Sequence, residues 1–154
     1  MADKTDSIKT KLAFDGEAEY KAACKELNSN LKLLGSEMKL VTAEYKNNAT
    51  STEALKAKQD VLKRTYDEQA KKVEETEKAL KAMKEAQGEN SDGAKRLETA
   101  LNQQKTALAN TKNALDDTDK ALEEAEKSAD DFGKEVEDSG KQADDASSRF
   151  SNLG

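Results

Sequence analysis

The chain carries one thiol, Cys24, no histidine, and several adjacent carboxylates: Glu74-Glu75, Asp116-Asp117, Glu123-Glu124, Asp130-Asp131 and Asp144-Asp145. Without histidine it lacks the usual general base, the usual activator of a Ser or Cys nucleophile and the commonest zinc ligand. The paired acids suggest calcium binding or acid–base work, but the EF-hand spacing with its sixth-position Gly is missing. Adjacent residues on a helix also point about 100° apart, so such a pair reads as a solvated face. Neither GxxxxGK[ST] nor GxGxxG occurs, which leaves nucleotide chemistry without a phosphate cradle. Cys24 permits no intramolecular disulfide, and its place in an apolar seam makes it a small buried hydrophobe rather than a reactive thiol. No residue is assigned a catalytic, cofactor-binding or metal-binding role, and the chain is not expected to be an enzyme.

The composition points the same way. Of 154 residues, 38% are charged, 34% hydrophobic and 4% aromatic, with no Trp and no Pro. A mean hydropathy of -1.00 leaves little for a thick core, so an extended or multi-chain object is favoured. Residues 116–154 hold 13 acids and 5 bases, a net -8, against 19 acids and 21 bases, a net +2, in residues 1–115. Acids interleave with bases everywhere and 23 of the 26 bases are Lys, which excludes the clustered cationic, aromatic-lined face of a nucleic-acid binder. No apolar run approaches the roughly 20 residues that cross a bilayer, so no membrane partner is expected for this segment.

Five segments organise the chain. Residues 1–16 form an N-terminal arm in which Ile8, Thr10, Leu12 and Phe14 alternate with Lys9, Lys11 and Ala13 at the period of a half-buried strand, ending at Asp15-Gly16. A lone strand must pair with another chain or fray. Over residues 17–48, Tyr20, Cys24, Leu27, Leu31, Leu34, Met38, Val41 and Tyr45 follow at alternating steps of four and three, a heptad seam with Asp15 as its cap and Asn47-Asn48 as its end. Thr50-Ser-Thr-Glu53 has capping-box spacing and opens a second helix over 50–87, with Leu55, Gln59, Leu62, Tyr66, Gln69, Val73, Thr76, Leu80 and Met83 on its seam. Residues 88–93, from Gly88 to Gly93, make the clearest turn. The third helix, 94–154, holds the strongest repeat: Leu101, Leu108, Leu115 and Leu122 recur every seven residues and Ala129, Val136, Ala143 and Phe150 continue the frame. Its companion positions start with Leu97, Gln104, Thr111 and Thr118 and go on through Ala125 and Phe132, so that side is mostly small or polar. Gly133 and Gly140 each cost roughly 1 kcal/mol relative to Ala, and fraying is expected after about residue 133.

The expected fold is therefore all-α: about three elongated coiled-coil helices preceded by one short β-strand. Isolated helices are marginal in water, so the seams must close as a hairpin across Gly88–Gly93, on other copies of the chain, or both. Leu at one seam position with small or polar residues at the other leaves the strand number open, three among the options.

The stretch SIKTKLAFDGEAEYKAACKELNSNLKLLGSEMKLVTAEY, with EALKAKQDVLKRTYDEQAKKVEETEKAL and KRLETALNQQKTALANTKNAL after it, resembles the N-terminal region of tail tape measure proteins from phages and prophages of Gram-positive bacteria. The resemblance covers roughly residues 7–125. It implies a structural role: copies of a long helical protein lie along the lumen of the tail tube, set its length and leave ahead of the genome. It also implies as partners other copies of itself, the tail tube protein, tail assembly chaperones and baseplate or tip proteins. The implied location is the virion tail, assembled in the bacterial host cytoplasm. Members of that family are much longer and often carry membrane-active or wall-degrading segments, so the chain is expected to be an N-terminal fragment. At 1.5 Å per residue, a fully helical single pass would reach about 230 Å. Two other readings fit the composition: a hydrophilic stress-protection protein of the late-embryogenesis type, and a helical adaptor that bundles with partner helices.

Overall fold

The computed structural model describes the backbone of residues 13–152 and the side chains of residues 13–141. It is all-α, with three helices: α1 over Glu17–Glu44, α2 over Thr52–Gln87 and α3 over Asp92–Asn152. At 1.5 Å per residue these are about 42, 54 and 92 Å long. The strand expected over Ile8–Phe14 lies outside the described residues except for Ala13 and Phe14, which form a bend.

Each helix boundary has a local cause. Before α1, Gly16 adopts a left-handed conformation, φ +88°, that strains any residue with a Cβ. Asp15 does not cap the helix as its spacing suggested. Instead the Glu17 carboxylate turns back and accepts the Ala13 N–H at 2.8 Å, tying the incoming chain to the first turn. α1 stops at Glu44, ahead of Asn47-Asn48, and the following Tyr45 N–H bonds the Val41 carbonyl at 3.1 Å. α2 is capped by Ser51, whose Oγ accepts the Ala54 N–H at 3.2 Å, one residue later than a cap at Thr50 would place it. α2 ends at Gly88, where φ +96° and ψ +156° define a conformation essentially reserved for glycine. α3 starts inside the expected turn, at Asp92, because Ser91 Oγ accepts the Ala94 N–H at 3.2 Å.

Short loops between long helices force antiparallel neighbours, and the seams close within one chain. α2 is the middle element, with α1 packed along one side and α3 along another. Between α1 and α2 the register is marked by Tyr20 against Thr76, Asn28 against Lys72, Asn30 against Glu68 and Glu37 against Arg64. Between α2 and α3 it is marked by Glu77 with Lys105, Gln59 with Asp119 and Lys56 with Glu126. The buried cluster Phe14, Ala79, Met83 and Ala94 sits at the Gly88 end, where Phe14 folds down from the arm and meets the Tyr20 ring at a centroid distance of 6.3 Å.

The register also sets where α2 stops covering α3. Lys56 lies near the start of α2 and reaches Glu126, so beyond about Ser128 neither of the other two helices described lies along the third. The 24 residues from Ala129 to Asn152 form an overhang of about 36 Å.

Candidate interaction surface

Helix surfaces are what this fold presents to a partner. On α1, Leu27 and Leu34 are buried and Cys24, Leu31, Met38 and Val41 are half-buried. On α2, Leu55, Leu62, Val73 and Met83 are buried, with Tyr66 and Leu80 half-buried. On α3, Leu101 and Leu122 are buried and Leu97, Leu108 and Leu115 half-buried. Phe132 stands apart from these positions. It shares their seven-residue frame but is 67% exposed, because it projects from the overhang where α2 no longer reaches.

Several buried positions lie off the expected seams. Ala54, Val61 and Ala79 are buried on α2 beside the seam residue Thr76, which is fully enclosed. Helical spacing puts Ala54, Val61 and Ala79 in line with Arg64, Glu68 and Lys72, the residues that bond α1. α2 has two partners and so needs two seams, whereas one three-four repeat describes one. The signal was present in the run of small residues Ala54, Val61 and Ala79.

Polar residues are built into these interfaces. Tyr20 Oη and Thr76 Oγ1 are 3.1 Å apart, and burial pushes the Tyr20 hydroxyl above its ordinary range despite that hydrogen bond. Gln59 Nε2 donates to Asp119 Oδ1 at 2.5 Å, and the Thr118 hydroxyl, enclosed in the α2–α3 seam, donates to its own Ala114 carbonyl at 2.7 Å. The Gln69 and Gln104 side-chain oxygens are buried with no hydrogen-bond partner among the described residues, and both border a groove reached by Leu31 of α1. Such polar contacts cost stability relative to an apolar seam, yet they penalise a slip in register, since a slipped pair leaves donors and acceptors unmatched.

On the α1 seam, Cys24 is a free, half-buried thiol. Among the described residues no group of three or more His, Cys, Asp or Glu side chains could hold a metal ion, and no helix is long and apolar enough to cross a membrane. Asp116, Asp117, Glu123, Glu124, Asp130 and Asp131 are exposed. The largest exposed apolar side chains are Leu33 and Leu40 on α1 and Phe132 and Val136 on the overhang, at 61, 58, 67 and 55%. Val136 is one turn on from Phe132, so the two share a face. No family model, curated protein or solved structure matches the chain.

Proposed function

We propose that this chain is a structural protein of phage tail assembly, the N-terminal part of a tape measure protein, whose seams are coiled-coil seams and whose partners are other copies of itself, the tail tube protein, tail assembly chaperones and baseplate or tip proteins. The observation that carries the reading is the combination of an all-helical fold with helix surfaces as its contact features, in a chain that resembles that family over roughly residues 7–125. The folding back of α1, α2 and α3 refines the role. A hairpin spans about the 92 Å of its longest helix rather than the 230 Å of a single pass, so residues 17–128 act as a docking or capping body at one end of the ruler, and length is measured by sequence that runs singly along the lumen.

The stress-protection reading is weakened by the burial of Phe14, Met83 and Ala94 against one another, which requires contacts between residues distant in sequence. Immunogold labelling of purified tails with an antibody against residues 17–128 tests the proposal. Label at one end of the tail is expected. Tails that lack the protein, with assembly normal after its gene is disrupted, would overturn it.

A further inference from the structure

We infer that the three-helix body is one of two states of this chain: its two turns can become helical, giving a single straight helix that pairs in parallel with a second straightened copy along the same seam. The observation is one of phase. The seam of α1 steps through Cys24, Leu27, Leu31, Leu34, Met38 and Val41, and the same alternation of three and four, carried on through Tyr45, Asn48 and Thr52, arrives at Leu55, the first buried seam residue of α2. Carried from Leu80 and Met83 through Gln87, Asn90 and Ala94, it arrives at Leu97 and Leu101 of α3. Neither turn shifts the frame. A heptad frame has seven phases, so two connections of unrelated length would both keep it roughly once in fifty times. A hairpin sets no such condition, since turns of about two to eight residues join antiparallel helices.

The turns themselves are close to helix. Residues 45–51 contain no Gly or Pro, and the Asn48 N–H donates to the Tyr45 carbonyl at 3.1 Å and the Ser51 N–H to the Asn48 carbonyl at 3.0 Å, three-residue steps of the tight helical kind. At the other turn the Gly88 N–H still donates to the Lys84 carbonyl at 2.9 Å, as in a continuing helix, and it is the Gly88 φ of +96° that diverts the chain. The sequence has no Pro, so no residue from Glu17 to Asn152 bars a continuous helix of about 204 Å.

The closed state covers the seam incompletely. α1 and α3 lie along α2 without a close backbone approach to each other among the described residues. Leu31, Met38, Leu108 and Leu115 stay half-buried, and the Gln69 and Gln104 side-chain oxygens are buried without a partner. In a parallel, in-register pair each seam residue faces its own counterpart. Leu then meets Leu, and the carboxamide of Gln69 or Gln104 meets an identical group that donates as well as accepts. Opening forfeits the Phe14, Met83 and Ala94 cluster, the Tyr20–Thr76 hydrogen bond and the Arg64–Glu37 ion pair, so the closed state holds at low concentration and the open pair is gained as concentration rises. This follows from the seam frame and is independent of the tail-assembly reading.

Pulsed electron paramagnetic resonance on the full chain tests the inference, with spin labels on Lys32→Cys and Lys71→Cys in a Cys24→Ser background, diluted with unlabelled chain. The closed state sets these labels within about 35 Å of each other and the straight helix sets them about 59 Å apart. A second pair, Asp67→Cys and Asn113→Cys, reports the other turn, at about 69 Å when straight. Short distances are expected at micromolar concentration, with long ones growing in alongside the dimer seen by sedimentation equilibrium. Singly labelled Lys71→Cys chains should give a distance between copies within about 35 Å, as in-register parallel pairing requires. Gly88→Ala, which removes the residue suited to the turn, should tighten the dimer about tenfold. Two alanines inserted after Asn48 lengthen a surface turn and should leave the melting of the closed monomer nearly unchanged, but they rotate the α1 seam by about 200° and should abolish the 59 Å distance. A seven-residue helical insertion at the same place keeps the frame and should retain that distance, lengthened by about 10 Å. A chain that stays monomeric to millimolar concentration overturns the inference. So does a dimer that keeps the short distances within each chain, one that lacks the Lys71 distance between copies, or a two-residue insertion that behaves like the seven-residue one.

Discussion

Tyr20 joins three features of the fold: its ring meets Phe14 from the arm, its hydroxyl bonds Thr76 on α2, and its backbone N–H closes the first turn of α1 on the Gly16 carbonyl. Thr76 is fully enclosed, so removing its partner leaves a buried hydroxyl with only its own helix to bond. Tyr20→Phe should therefore cost about 1 kcal/mol in a denaturant melt, and Tyr20→Phe combined with Thr76→Val should cost less than the two changes added together. Glu17 makes a second residue-level case. The Ala13 N–H, helped by Lys21, holds its carboxyl below the usual carboxylate range. A depressed folded-state value means that its contribution is present above the ordinary carboxylate range and is lost as pH falls through the lowered value. Thermal melts between pH 7 and pH 3 should show a smaller acid-side loss for Glu17→Gln than for the native chain.

Elements were legible in the sequence to the extent that one face decides them. Leu101 and Leu122 follow a strict seven-residue repeat and are buried; Leu27 and Leu34 behave alike on α1. Ala54, Val61 and Ala79 escaped because α2 is flanked on two sides, and a second seam of small residues carries little hydrophobic contrast. Phe14 escaped for a different reason: its alternation with charged neighbours has the period of a strand, yet tertiary packing at the hairpin end claims it. Glycines show how backbone geometry sets the ends. Gly88 has open space around it, so a Cβ there clashes with nothing and the penalty is one of conformation alone. Gly88→Ala should destabilise by about 1 to 3 kcal/mol, whereas Gly35→Ala, also in open space but inside α1, should stabilise by about 0.5 to 1 kcal/mol. Opposite shifts of the melting midpoint for these two identical substitutions would verify the assignment of Gly88 as the end of α2.

The whole molecule divides into a body and an extension with different energetics. Within the body, every helix has a neighbour, and contacts such as Arg64 with Glu37 at 2.6 Å fix which turn faces which. In the extension, all side chains from Lys127 to Lys141 are exposed, and Lys141 with Glu137 is an ion pair internal to the helix. Among the described residues, none from 129 to 141 is buried against the body. Truncation after Ser128 should then move the melting midpoint of the body by no more than about 2 °C, the range of surface changes. It should also shorten the longest dimension of the monomer, measured by small-angle X-ray scattering, from about 92 Å to about 56 Å, because α3 would end with the partner helix that covers it. The contrasting change is deletion of Lys105–Thr118, which removes two heptads from the covered part of α3. The monomer should shorten by about 21 Å while the melting midpoint falls, because residues from Asp119 onward move up by two heptads along α2, which sets Asp119 in place of Lys105 opposite Glu77 and Gly133 in place of Asp119 opposite Gln59. If the deletion and the truncation destabilised the body equally, the overhang would have to pack on it, and the division between a folded body and a free arm would be wrong.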